Sequence, residues 1–330
     1  MIRFGILSSA KIAREHLIPA AFKSDAVQIS AIASRDLARA QEVAAKYRIS
    51  QAFGSYEALL ESDTVDAVYI PLPSSDHVEW AIKAADAGKH VLVEKPLALN
   101  ADEIQSVIEA RDRNGVVVTE AFMVTYHPQW QLVKDWISDG KIGRLRQVQG
   151  AFSYFNRDPS NMRNQLSLGG GALPDIGVYP TVTTRFVTGQ EPLAVRGRVD
   201  FDPEFGTDIY ANVNAEFADF NLDFYVATQM ATHQSMRFHG DKGYVELSAP
   251  FNSNIYDIAK VTYFNHTHGE SEVRQFLSVD QYALQYDAFA HALNSGDHSA
   301  LFSLEQSVLN QRLLDGVYAS NTADGAVITL

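Results

Sequence analysis

Over its first 120 residues the chain alternates short apolar runs with segments whose apolar residues recur at helical spacing. Ile2–Leu7, Val27–Ala33, Gln51–Phe53 and residues 65–70, 90–94 and 116–120 read as strands. Between the first strands lie residues 11–22, with Ile12, Leu17, Ile18 and Ala21 in helical register, and residues 36–47, with Leu37, Ala40, Val43, Ala44 and Tyr47 on one face. Short buried strands separated by helices form a parallel sheet covered on both faces. Local signals support this. Ser55 can cap residues 56–60, Ser75 residues 76–87 and Asn100 residues 101–114, and Gly88 and Gly115 stand at helix ends.

The texture changes after Glu120. A helix over residues 128–138 precedes a strand at Leu145–Phe155, a glycine loop at Gly169, Gly170 and Gly171, and a helix at residues 178–187. Residues 209–217 then alternate with period two, Ile209, Ala211, Val213, Ala215 and Phe217 on one face, and residues 224–228, 236–240, 243–247 and 261–264 continue as strands. Such runs point to an antiparallel sheet. The fold class expected is therefore an α/β domain at 1–120 joined to an α+β domain at 121–330 with a large, mostly antiparallel sheet. Two further helices, near 282–294 and 304–320, close the chain, and their packing is not readable from sequence.

A chain of 330 residues exceeds what one core usually holds, which agrees with two domains. It has no cysteine, so disulfides, thiolate metal sites and a cysteine nucleophile are excluded. A net charge of −13 disfavours nucleic acid as a partner. No apolar run approaches the roughly 18 residues of a membrane span, and Met1 leads straight into a strand pattern rather than a secretory leader. Cytoplasmic residence without membrane contact is expected. His266 and His268 flank a turn without ligand spacing, so no metal site is expected, and no Gly-x-Ser-x-Gly elbow is present.

The first strand runs into Ser8, Ser9, Ala10, Lys11 and Ile12. A dinucleotide-binding turn here places small residues, usually glycine, so that backbone N–H groups approach a pyrophosphate at a helix start. Ser8, Ala10 and Ala13 occupy those places, and the serine hydroxyls and Lys11 add polar contacts. The second strand ends in Ser34-Arg35-Asp36, with Arg39 a helical turn on. A serine and an arginine there suit a 2′-phosphate and hence NADP; Asp36 leaves NAD open. The apolar strand at residues 91–93 ends in Glu94-Lys95-Pro96. Strand ends of a parallel sheet face the ligand crevice, so Lys95 can reach a cofactor or substrate there.

With these motifs placed, the chain resembles the glucose–fructose oxidoreductase/inositol dehydrogenase/MocA (Gfo/Idh/MocA) family. The segments that carry the likeness are Gly5–Ala13, Ala33–Asp36, Ile70–His77, Glu94–Pro96, Glu120–Pro128 and Gly169–Pro180, while Asp158–Arg163 resembles the branch of NADP-dependent xylose dehydrogenases and dihydrodiol dehydrogenases. The resemblance implies a Rossmann domain followed by an α+β domain, an active site between them, and a homodimer built on the large sheet. It implies NAD(P)-dependent hydride transfer to or from a sugar, polyol or diol. Lys95, Asp175 and Tyr179 would form the catalytic group; Pro71, Leu72, His77 and Glu94 would lie near the cofactor. Asn161 and Arg163 sit in a polar loop that could line the substrate site or simply face solvent. Asp175 would bind and orient the substrate, and it could also cap the helix at Val178. His127 could cap the next helix. Tyr179 has an intrinsic pKa near 10 and needs a neighbouring cation to act as a base near neutral pH. The alternative function is a sensor that binds dinucleotide and ligand without turnover; a third is internal redox cycling on a tightly held cofactor.

Overall fold

A computed structural model describes residues 1–330. The chain divides into two compact units, Met1–Tyr126 with Asp280–Val308, and His127–Val279 with Leu309–Leu330. The expected single cut at 120/121 does not describe this division, because a late segment returns to the first unit.

The first unit contains β1 (Ile2–Leu7), α1 (Ile18–Ala21), β2 (Val27–Ala33), α2 (Leu37–Tyr47), β3 (Gln51–Phe53), α3 (Tyr56–Leu60), β4 (Ala67–Ile70), α4 (His77–Asp86), β5 (His90–Val93), α5 (Ala101–Asn114) and β6 (Val118–Glu120). The six strands pair in parallel in the order β3-β2-β1-β4-β5-β6. The order reverses beside β1, which makes the C-terminal ends of β1 and β4 the natural ligand crevice. Ile6, Leu7, Ile32, Val68, Ile70, Val91 and Val93 are buried on the central strands. Caps define the helices as expected at Ser55 and Asn100, and Asp36 proves to be the cap of α2 rather than its first residue; all three side chains accept from amides of the first turn. Ser75 does not cap α4. A tight turn at Ser74–Asp76 leads into that helix, and the Ser75 hydroxyl bonds Asp76 instead. The segment expected as one helix at 11–22 begins with a widened π turn, Ala13–Leu17, before α1.

The second unit contains α6 (Pro128–Ser138), β7 (Leu145–Phe155), α7 (Val178–Thr188), β8 (Ala194–Phe201), β9 (Asp208–Glu216), β10 (Asn221–Ala227), β11 (Gln229–Gly240), β12 (Gly243–Leu247), β13 (Ala259–Asn265) and β14 (Ser271–Phe276). Then α8 (Gln281–Ser295) belongs to the first unit, the division falls within α9 (Leu304–Thr322), and β15 (Ile328–Thr329) joins the large sheet. Helix α8 packs on β1, with Phe4 against Tyr286 at 5.0 Å and Phe289 at 5.3 Å between ring centroids.

Nine strands run in the order β14-β13-β12-β11-β7-β10-β9-β8-β15. Only β7 and β10 pair in parallel, and the other neighbours are antiparallel. Alternation sorts the faces: on β9, Ala211, Val213 and Ala215 are buried while Asn212, Asn214 and Glu216 are exposed. Helix α7 lies close over β7 because Gly150 has no side chain. A Cβ there would meet Pro180 at 3.3 Å and the Met236 sulfur at 2.7 Å. No helix is long and apolar enough to cross a membrane.

Candidate active site

After β1 the backbone of Ser8 has φ 135°, a conformation that favours glycine. Serine therefore occupies the place of the usual glycine at some conformational cost. The turn is held from inside: the Arg14 Nε donates to the Ser9 carbonyl at 3.0 Å, and the Arg14 carbonyl accepts from the Tyr47 hydroxyl at 2.7 Å. Ser9 is buried and Lys11 is exposed, 3.8 Å from Glu15. Ala10 and Ile12 lie on the rim of the turn, part exposed. Small residues, an exposed lysine and the start of a helix at a sheet switch point make a donor set suited to a dinucleotide pyrophosphate.

At the end of β2, Ser34 is buried and its hydroxyl accepts from the Asp36 amide at 3.2 Å. Asp36 is occupied as the cap of α2, accepting from Ala38 at 3.0 Å and Arg39 at 3.4 Å. Arg35 and Arg39 remain exposed beside it.

The lysine turn follows β5 and begins at a cis Lys95–Pro96 peptide. The Lys95 amide donates to Glu94 Oε2 at 3.3 Å, and Glu94 Oε1 accepts from the Tyr69 hydroxyl at 2.6 Å. Burial, then Glu94, pushes the Tyr69 phenol well above its ordinary range, so it stays a donor. His77 is almost fully buried, with its ring nitrogens 2.7 Å from the Pro96 carbonyl and 2.8 Å from the Leu72 carbonyl. Burial lowers the imidazole pKa against those two bonds. His77 thus ties the turn after β4, buried at Pro71 and Leu72, to the turn after β5.

In the second unit, helical backbone extends ahead of α7 as a widened turn, Leu173–Gly177. This carries Asp175 onto the same helical run as Tyr179. Asp175 does not cap α7: Gly177 is the cap residue. Asp175 Oδ2 instead accepts from the Tyr154 hydroxyl at 2.6 Å and from Arg163 Nε at 2.7 Å. Asp175 raises the pKa of Arg163, and burial followed by Asp175 raises that of Tyr154, so both remain donors. Gly170 makes this approach feasible, since a Cβ there would sit 2.5 Å from the carbonyl oxygens of Met162 and Arg163. Asn161 supports the same turn, accepting from the Arg163 amide at 3.1 Å. Tyr179 is 5% exposed, its ring 5.5 Å from Phe251 and 5.7 Å from Phe152, and its phenol is within electrostatic reach of Arg163. A cavity of about 620 Å³ opens onto Phe152, Tyr154, Arg163, Asp175, Gln234 and Tyr256.

Two family models cover most of the chain. The model for the oxidoreductase family with an NAD-binding Rossmann fold matches residues 2–122, and that for the GFO/IDH/MocA C-terminal domain matches residues 130–246. This chain belongs to the Gfo/Idh/MocA family. Among Gfo/Idh/MocA relatives, an oxidoreductase of Rhizobium meliloti is 39% identical over 97% of both chains. A D-xylose 1-dehydrogenase (NADP(+)) of Haloferax volcanii is 35% identical over 98% of both. A tyrosine-to-phenylalanine variant of a 3-ketoreductase from Actinomadura kijaniata, solved with TDP-benzene and NADP, superposes with a TM-score of 0.89 at 30% identity, covering 96% of this chain and 97% of that one. As a Gfo/Idh/MocA protein the chain is an NAD(P)-dependent oxidoreductase.

Sequence reasoning missed four residues of this Gfo/Idh/MocA site. Tyr154 was read only as part of a strand, Gln234 and Tyr256 were not singled out, and Asp208 received no role. Asp208 is buried, accepts from the Leu173 amide at 2.7 Å and the Tyr318 hydroxyl at 2.8 Å, and burial pushes its carboxyl up to about 6. No local motif marks such residues, because they come from strands, and for Tyr256 from a turn, distant in sequence from Asp175. His127, by contrast, caps α6 as expected, its Nδ1 accepting from the Gln129 amide at 3.1 Å.

Proposed function

We propose that this oxidoreductase uses NADP and acts on a hydroxyl or carbonyl of a sugar, polyol or diol, with Lys95, Asp175 and Tyr179 as its catalytic group. The observation that carries the substrate side is the donor array on Asp175: one carboxylate organises a phenol and a guanidinium beside Tyr179. Hydroxylated ligands are matched by such paired donors and acceptors. The relatives named as D-xylose dehydrogenase and as a ketoreductase solved with NADP support the same class.

When bound, the nicotinamide cofactor supplies or accepts the hydride. Ser8, Ser9, Ala10, Lys11 and Ile12 hold its pyrophosphate, and Ser34 with Arg35 holds a 2′-phosphate. Pro71, Leu72, His77 and Glu94 shape the rest of its pocket. Asp36 is engaged as a helix cap, which favours NADP over NAD. Tyr179 moves the proton to or from the substrate oxygen, the Lys95 ammonium stabilises the negative charge that develops, and Asp175 with Arg163 orients neighbouring hydroxyls. The substrate-binding domain is the second unit, His127–Val279 with Leu309–Leu330.

The test is absorbance at the NADPH band over a panel of aldoses, polyols, inositols and diols. Turnover of at least one class is expected; turnover of none moves the protein to the ligand-sensor reading. Tighter binding of NADH than of NADPH defeats the cofactor preference. We further infer cytoplasmic residence and a homodimer. The exposed side of the large sheet carries part-buried aromatics, Tyr210 against Tyr225 at 6.4 Å and Tyr244 against Phe264 at 4.8 Å, which suits a protein partner. A monomeric mass at micromolar concentration defeats that inference.

A further inference from the structure

We propose that Glu120 is a positioning residue for Lys95, acting through the backbone of residues 95–97. This rests on the reading of Lys95 as the group that meets the substrate oxygen. Glu120 ends β6, is 4% exposed, and pairs in register with Val93, the last residue of β5. The sheet stops supporting the chain at that level, and the lysine turn begins there. Three side chains then take over the main chain. Glu94 accepts from the Lys95 amide at 3.3 Å, His77 meets the Pro96 carbonyl at 2.7 Å, and Glu120 Oε1 accepts from the Leu97 amide at 2.9 Å.

A buried carboxyl is costly unless its oxygens find donors. Glu120 has the Leu97 amide and the Ser307 side chain on α9. Its placement is not a packing convenience, since an apolar residue would fill the same volume and leave the Leu97 amide unpaired. The charged groups facing Glu120 are Glu94 and Lys95 from the turn itself, and behind Glu94 stand the phenols of Tyr69 and Tyr286. Burial, and then the Glu94 charge, pushes the Glu120 carboxyl up to about 7, against the Ser307 and Leu97 bonds. Ionised, Glu120 offers all its oxygen lone pairs to the two donors. Protonated, it gains a donor of its own and grips the turn less firmly. The lysine turn is therefore held best on the alkaline side of neutrality.

The experiment uses the full-length protein with NADP and the best substrate of the panel, measuring kcat and KM from pH 5.5 to 9. Glu120→Ala should lower kcat by about tenfold or more while the KM for NADP changes less than about twofold, because a displaced lysine costs turnover rather than dinucleotide contacts. Glu120→Gln keeps an acceptor for the Leu97 amide and cannot ionise. It should recover kcat to within about threefold of the parent and lose the rise in kcat near pH 7. An unchanged kcat in Glu120→Ala, or the parent's pH limb persisting in Glu120→Gln, overturns the proposal. If Glu120→Ala does not fold, the pH profile of Glu120→Gln decides alone. Lys95→Ala separates the two layers. Turnover surviving in Lys95→Ala removes the catalytic reading itself, whereas its loss with inert Glu120 variants removes only the role of Glu120.

Discussion

In the first unit the candidate site is mostly main chain; in the second it is mostly side chains in contact with one another. Around β1, β2 and β5, the polar side chains hold backbone: Asp36 caps a helix, His77 joins two carbonyls, and Glu94 and Glu120 take amides of the lysine turn. Around α7, Asp175 gathers Tyr154 and Arg163 directly. A site made of backbone tolerates a changed side chain provided the conformation survives. That is how serine stands at φ 135° where glycine is usual. A site made of paired side chains has no such latitude, because removing one partner strands the other.

The sharpest break of this contrast is Tyr179→Phe. Turnover should fall by about 100-fold or more with the NADPH dissociation constant moved less than about twofold, by steady-state kinetics and fluorescence titration. A parallel loss of cofactor affinity would dissolve the distinction between the two regions. Next, Asp175→Asn removes the carboxylate that pairs Arg163, so kcat/KM for the sugar should drop by about 10- to 100-fold, mainly through KM. Unaltered kinetics would mean that the array only stabilises the loop.

The cap of α6 tests backbone support within the second unit. Burial pulls the His127 imidazole down to about 4, so the folded protein keeps it neutral. A base whose pKa is lowered on folding contributes full stability above its unfolded value near 6.5, and that stability declines as pH falls towards 4. Between pH 7 and pH 5 the parent should lose about 2 kcal/mol more than His127→Ser, which caps without titrating. Urea denaturation at the two pH values measures this, and equal losses would exclude His127 as the source. Smaller still, Asp36→Ala should cost about 1 kcal/mol while Asp36→Ser costs little, with NADPH preferred throughout. A selective loss of NADH binding would show that Asp36 reaches the ribose. Ser8→Gly should change stability by no more than about 1 kcal/mol, relief of strain offsetting the freer unfolded chain. A larger loss, seen in the thermal midpoint, would mean that the serine side chain itself holds the turn.

Much of this contrast was legible beforehand. The parallel sheet followed from apolar runs alternating with helical periodicity, and Ser55, Asn100 and Gly115 act where their chemistry indicated. Strand β7 was read to its residue limits, because its period-two pattern sits between clear breakers. Ser75 misled because the three residues preceding α4 form a tight turn of their own, closed by the Pro73 carbonyl accepting from the Asp76 amide at 2.9 Å. For Asp175 only the alternative of a helix cap is not realised: an acid near a helix start is a good cap in isolation, yet Arg163, held by a glycine-permitted approach, takes it instead.

Composition, strand–helix alternation and the turn motifs alone determined that this chain has a dinucleotide-binding α/β domain, an antiparallel-rich second domain and, in Lys95, a lysine at a strand end; Asp175 and Tyr179 came from the resemblance to the Gfo/Idh/MocA family. Those features are local, carried by residues a few positions apart, and so they survive without knowledge of the fold. Only the tertiary structure decided that α8 returns to pack on β1, that Tyr154 joins Asp175, and that Glu120 braces Leu97. Each of these joins residues far apart in the chain, and burial is what makes the pairing obligatory: a polar group removed from water must find whichever partner the fold brings near.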